Sequence, residues 1–120
     1  MIRNRSGRII QISSVVGSTG NIGQSVYSMS KAALNAMTKS LALELASYGI
    51  LVNGIAPGFI DTPMTRGLSE EIREKILSTI PLQRMGNPSE VAEWVTFLST
   101  RASYATGSTY HVNGGLYAGS

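Results

Sequence analysis

Cysteine is absent from all 120 residues, which removes disulfides, thiolate nucleophiles and sulfur-held metals from consideration. That absence fits a cytoplasmic protein. Histidine occurs once, as His111, with no second imidazole or carboxylate cluster spaced to share a metal, so it reads as a structural residue. No apolar run is long enough to cross a bilayer, and Met1-Ile2-Arg3-Asn4-Arg5 lacks the apolar core of a secretory leader. A membrane partner is therefore not expected. Acidic residues are few, seven against ten lysines and arginines, for a net charge of +3. Arg3, Arg5 and Arg8 crowd the front without interleaved aromatics or a binding motif, so a solvated basic edge is expected and no nucleic acid. A dinucleotide fingerprint is missing as well. Gly17, Gly20 and Gly23 are spaced three apart rather than as G-x-G-x-x-G, and no acidic residue ends a following strand. That loop reads as a flexible wall.

What is present describes an ordered globular chain, 42% hydrophobic and 14% charged, long enough for one domain with a core. Gly7 to Ser14 reads as a buried strand, short, β-branched and bounded by turn residues. Ser25 to about Tyr48 reads as one long helix closed by Gly49, with Leu34, Met37, Leu41, Leu45 and Tyr48 toward a sheet. Ile50 to Ala56 is a second buried strand, stopped by Pro57-Gly58. A short helix follows from Ser69 to about Ser78, with Ile72, Ile76 and Leu77 to bury. Asn87-Pro88-Ser89-Glu90 opens another helix, presenting Val91, Trp94, Val95 and Leu98 on one side. Thr109 to Val112 is a last strand before Asn113-Gly114-Gly115. Strands alternating with helices predict an α/β fold with a parallel sheet.

Tyr27 and Lys31 carry the chemistry. Four residues apart on a helix, a phenol and an ammonium share one face. A free tyrosine titrates near pH ~10, and a neighbouring cation favours its ionised form, which suits a general acid for a carbonyl or alcohol oxygen. The plain alternative is an aromatic ring covered by an aliphatic stem. Ser14 closes the first strand, and side chains at the carboxyl ends of parallel strands line the ligand crevice. Its hydroxyl can bond a substrate carbonyl there, or simply form a turn. Pro57, Gly58, Ile60 and Thr62 leave the second strand at the same edge. Gly58 removes a side chain where backbone approaches a flat ligand, and groups near Ile60 and Thr62 can bond an amide.

Together, Ile-Ser-Ser at a strand end, Tyr-Ser-Met-Ser-Lys, Pro-Gly-Phe-Ile-Asp-Thr and His-Val-Asn-Gly-Gly resemble the short-chain dehydrogenase/reductase family, over essentially the whole chain. The closest likeness is to reductases of 3-oxoacyl groups carried on acyl carrier protein in fatty-acid synthesis. The resemblance implies the C-terminal part of a Rossmann-like doubly wound parallel sheet. Ser14 matches the family's substrate-orienting serine, Tyr27 its acid/base, and Lys31 the lysine that tunes the tyrosine and holds the nicotinamide ribose. Pro57, Gly58, Ile60 and Thr62 match its carboxamide-binding loop. Residues from about Met64 to Met85 match the mobile substrate lid. Arg5 falls where such reductases carry a basic residue for the acidic carrier, whereas Tyr48 stands in place of a second one. NADPH as cofactor, a carrier-protein thioester as substrate and a homotetramer are implied likewise.

The family's glycine-rich turn, its NAD/NADP-selecting residue and its catalytic asparagine have no counterpart here. The chain therefore reads as a single partial domain over residues 1–120 without the N-terminal nucleotide-binding half. An open edge on the first strand and weak activity in isolation are expected. The catalytic trio does not itself choose among ketones and alcohols. A reading of another class is a non-catalytic remnant or subunit that associates with a full-length reductase.

Overall fold

Three parallel strands form the sheet of the computed structural model, which describes residues 1–20 and 22–118. β1 (Gly7–Ile12), β2 (Ile50–Pro57) and β3 (Thr109–Val112) lie in the order β1-β2-β3. Gly7 pairs with Ile50 and Ile12 with Ile55 on one side; Gly54 pairs with Thr109 and Pro57 with Val112 on the other. Parallel neighbours need long crossovers. The first carries α1 (Val16–Thr19) and α2 (Ser25–Leu45), the second α3 (Pro63–Arg66), α4 (Glu70–Thr79) and α5 (Pro88–Thr100).

β2 is central because its side chains feed two apolar layers. Ile50 and Val52 pack with Ala42, Leu41, Leu45 and Tyr48 of the first crossover and with Ile9 of β1. Ile55 packs on the other layer with Leu98, Val91, Trp94 and Val95, joined by Ile10 and Tyr110. Helices therefore cover both faces, as in a doubly wound sheet. Asn53 is the polar exception in β2, and it is satisfied: its Nδ2 donates to Ala105 O at 2.8 Å and its Oδ1 accepts from Ser108 N at 3.2 Å. Buried and paired in this way, it fixes the loop entering β3 without a desolvation penalty.

The long helix differs from its sequence reading in which residues face the sheet. Leu41, Leu45 and Tyr48 pack inward as expected, but Met37 is 43% exposed and Thr38 is wholly buried instead. The reason is close approach. A Cβ on Gly54 of β2 would lie 3.4 Å from Thr38 Oγ1, so a small side chain, its hydroxyl bonded to Leu34 O at 2.8 Å, occupies the seam. The helix ends through a 3₁₀ turn at Ala46–Tyr48, and Gly49 takes φ 70° as the left-handed cap. A methyl there would also strike the carbonyl oxygen of Arg5.

β1 is shorter and barer than expected. It ends at Ile12, every position is half-buried or exposed, and Ile12 itself is 46% exposed. Among the described residues no strand pairs with its outer side. The glycine-rich loop is also more structured than a flexible wall, since Val16–Thr19 form the α1 turn. Gly17 is required there, because a Cβ would lie 2.9 Å from the Lys31 carbonyl carbon. Asn21 of that loop lies outside the described residues.

The helix start at Asn87-Pro88 forms as the sequence suggests. Glu90 Oε1 accepts from Asn87 N at 2.9 Å, and Arg84 grips the same carboxylate in a fork of 2.7 and 2.9 Å. The guanidinium's hydrogen bonds, then the Asn87 N–H, pull the Glu90 carboxyl down to about 2. A depressed carboxyl stabilises the fold at pH values above its unfolded range near ~4.3, and that contribution disappears as pH falls toward 2. Thermal midpoints measured from pH 5 to pH 2 should fall more steeply for the wild type than for Glu90→Gln. Parallel curves would show the clasp contributes nothing. In the core, Leu98 is 1% exposed, so Leu98→Ala should cost about 2–5 kcal/mol in urea denaturation. A loss below about 1 kcal/mol would mean the second layer is loosely packed.

Candidate active site

The parallel register brings the carboxyl ends of β1 and β2 to one rim, where Ser13-Ser14 and Pro57-Gly58 follow in the chain. The backbone ladder continues past the strand, with Ser13 N–H to Ile55 O at 2.7 Å and Val15 N–H to Pro57 O at 3.0 Å. α2 starts at Ser25 and is bolted to this rim by its second turn. Ser13 Oγ, 4% exposed, donates to Lys31 O at 3.0 Å. Lys31 Nζ donates to Ile12 O at 3.4 Å.

Tyr27 and Lys31 meet as their spacing predicts. The ammonium lies 5.5 Å from the phenol ring centroid, within cation–π range. Tyr27 is 45% exposed, so its ring faces outward from the rim. Ser14 is half-buried, and its Oγ accepts from Val16 N–H at 3.4 Å, a local turn bond that leaves the hydroxyl proton available. The anchoring role of Ser13 escapes sequence reasoning that attends to Ser14 alone. Its only signal is the doubled serine at a strand end.

The loop after β2 is held by its own polar groups. Thr62 caps α3: its Oγ1 accepts from Thr65 N at 3.4 Å, and Thr65 Oγ1 accepts from Thr62 N at 2.9 Å. Thr65 Oγ1 also donates to Ile60 O at 2.9 Å. Ile60 bridges to Gly86. The hydroxyl proton of Thr62 is thus left for a ligand, while the Ile60 carbonyl is engaged. Gly58 has a nearer reason than a flat ligand: a Cβ there would lie 2.7 Å from Asn113 Cβ. Pro57 is the last residue of β2 rather than a stop after it. The segment expected as a lid carries α3 and α4, but it is anchored at its end, where Ile80 and Met85 are buried.

Several other sequence-singled residues lie elsewhere. His111 stands edge-on to Tyr117 at 4.9 Å, with its Nδ1 buried and unbonded. It lines a cleft of about 210 Å³ with Arg84, Glu90, Trp94 and Asn113, and none of Ser14, Tyr27 or Lys31 borders that cleft. Arg5 and Tyr48 meet at the amino-terminal end of the strands. The guanidinium carbon is 5.9 Å from the Tyr48 ring centroid, and Nη1 donates to Ser47 O at 3.1 Å.

A nicotinamide dinucleotide can be tested against these groups. Lys31 Nζ, Tyr27 Oη and Thr62 Oγ1 are suitable donors for a ribose and a carboxamide. The described residues offer no glycine cradle for a pyrophosphate at a helix start. The fit is to one end of such a molecule.

Known proteins resemble this chain over nearly its whole length. A family model described as Enoyl-(Acyl carrier protein) reductase matches residues 1–117. The 3-oxoacyl-[acyl-carrier-protein] reductase of Aquifex aeolicus is 59% identical over 118 residues, 98% of this chain and 48% of the relative. That of Salmonella typhimurium is 55% identical over the same share. A crystal structure of the Brucella melitensis 3-oxoacyl-[acyl-carrier protein] reductase, 41% identical, superposes with a TM-score of 0.94 over 99% of this chain and 45% of its own. The chain spans about half the length of these relatives. With the family model covering residues 1–117 and a relative 59% identical across 98% of it, the chain belongs to the short-chain dehydrogenase/reductase family.

Proposed function

We propose that this chain is the catalytic part of an NADPH-dependent reductase of 3-oxoacyl groups held as thioesters on acyl carrier protein, in fatty-acid synthesis. The observation that carries the reading is the Lys31 ammonium 5.5 Å from the Tyr27 ring, on a helix bolted to the end of β1. Reduced nicotinamide, when bound, supplies the hydride to the ketone carbon. Tyr27 Oη donates its proton to the carbonyl oxygen, and Ser14 Oγ–H bonds that oxygen and orients the ketone. Lys31 keeps positive charge beside the phenol and donates to the cofactor's ribose. Thr62, with backbone near Ile60, receives the carboxamide. The carrier-protein relatives, rather than the family model's enoyl description, support a 3-oxo substrate. NADPH rests on the family likeness, as do a homotetramer and a cytoplasmic setting. Arg5, held against Tyr48, is the basic contact for the acidic carrier.

These residues form part of one domain in this reading, matching about half the length of the relatives. No helix among the described residues is long and apolar enough to cross a membrane. A second reading, a non-catalytic subunit seated on a full-length reductase, draws support from α2. Its Val26, Met29 and Leu43 are 72%, 66% and 84% exposed, apolar side chains that a partner would cover.

Two measurements test the reading. In any assembly of this chain that reduces 3-oxoacyl thioesters, Tyr27→Phe should lower kcat by about 10²–10⁴ with the melting temperature unchanged; unaltered turnover would remove Tyr27 from the chemistry. Nicotinamide fluorescence should report feeble NADPH binding by the 120 residues alone. Tight binding with ordinary turnover would overturn the partial-domain assignment.

A further inference from the structure

Of the motifs that stand out in the sequence, His-Val-Asn-Gly-Gly is the one that proton transfer and carboxamide binding leave unused. In the fold it is the exit of β3, and three separate elements close on it. The loop after β2 docks first: Gly58 N–H donates to Val112 O at 2.9 Å, and its backbone lies against Asn113. The base of the α3–α4 segment docks second. Leu82 N–H donates to Gly114 O at 3.1 Å, and a Cβ on Gly114 would lie 2.9 Å from Cγ2 of Ile80, which is itself buried. The chain after the turn docks third, with Asn113 Nδ2 donating to Tyr117 O at 3.1 Å.

The turn needs its own fastening. Gly114 and Gly115 are consecutive left-handed residues, φ 64° and 92°, a conformation that glycine enters and leaves freely. Open space borders it, since Leu82, Gly86, Asn113 and Gly114 wall the cleft of about 210 Å³, so close packing does not hold the turn on that side. What fixes its shape is Asn113 Oδ1, which accepts from Gly115 N–H at 3.0 Å, a side chain closing a turn on its own backbone two residues on. The two docked elements are also tied to each other. Gly86 N–H donates to Phe59 O at 2.9 Å, and Asp61 N–H donates to Gly86 O at 2.8 Å. The Asn113 turn, the loop over residues 58–62 and the segment over residues 80–86 thus close a ring joined by backbone hydrogen bonds.

We propose that Asn113 is a positioning residue: by shaping the Gly114-Gly115 turn it holds the loop that carries Ile60 and Thr62 and the base of the α3–α4 segment as one unit. The consequence for cofactor binding rests on the reductase reading; the coupling of the two elements does not.

Native-state amide exchange of the full 120-residue protein tests the coupling without any ligand. In the wild type, protection at Gly58 and Leu82 should fall in parallel as urea is raised, because the two amides open together. Asn113→Ala removes both side-chain bonds. It should speed exchange at both amides about fivefold or more, the size of one or two hydrogen bonds, and more than at Gly54, whose N–H is bonded to Ser108 O at the entrance to β3. Asn113→Asp keeps the Oδ1 acceptor and should exchange as wild type. Independent urea slopes at Gly58 and Leu82 overturn the proposal, and that reading stands even where Asn113→Ala fails to fold by circular dichroism. Unchanged exchange in folded Asn113→Ala overturns it too, as does Asn113→Asp behaving like the alanine variant. In an assembly of this chain that reduces 3-oxoacyl thioesters, Asn113→Ala should raise KM for NADPH by a similar factor with kcat little changed, and Asn113→Asp should return it. A merely destabilised variant would instead show a lower apparent kcat at the wild-type KM, and that result removes the positioning role. Coupled exchange in a protein that reduces nothing upholds the turn as the fastening of the two elements and counts against the reductase reading.

Discussion

The register between β1 and β2 is the constraint on which the rest depends. Pairing Gly7 with Ile50 and Ile12 with Ile55 sets both strand ends level, so Ser13-Ser14 and Pro57-Gly58 emerge at one rim. A slip of one residue would exchange the faces of Ile9 and Ile10, moving each out of its apolar layer. Because Ile9 serves the α2 layer and Ile10 the α5 layer, the two helices hold the register from opposite sides. The geometry of the site is thus a consequence of packing well away from it.

From that rim the position of the Tyr27 phenol follows through short links. Ser13 holds the Lys31 carbonyl, Lys31 reaches Ile12, and Gly17 lets α1 lie against the Lys31 backbone. Each contact meets a backbone atom of its partner, so only the Ser13 and Lys31 side chains lose rotamer freedom in making them. Tyr27, one turn earlier, is placed by them; its carbonyl accepts from Ser30 Oγ at 2.8 Å, and among the described residues nothing bonds its phenol. An exposed phenol on a rigid mount is open to a ligand from solvent.

Much of this was legible in the residues. β3 falls at Thr109–Val112 as its pattern indicates, and α5 opens where Asn87-Pro88 says it should, because these signals are local. The Tyr27–Lys31 approach was legible for the same reason: helical spacing alone delivers it. The misreadings share another cause. Met37 in place of Thr38, and a first strand read as buried that is half-buried or exposed, both depend on what lies across the sheet. No local pattern carries that. An Ile-rich strand shows that it wants cover, not whether cover is present.

Arg5 and Tyr48 show how one contact shapes what an exposed cation can do. The Arg5 guanidinium lies against the Tyr48 ring. An exposed cation–π contact is worth about 0.5–1 kcal/mol, enough to restrict a long arginine but not to immobilise it. Two free cations attract an acidic partner by summed charge, and salt screens that attraction over about 10 Å. One cation restrained by Tyr48 and by the Ser47 carbonyl gives up some attraction for orientation. The guanidinium can still meet a carboxylate through its remaining N–H groups, and it loses less entropy in doing so. On the proposed reading, recognition of an acidic carrier therefore leans on the placement of a single fork rather than on the strength of a patch.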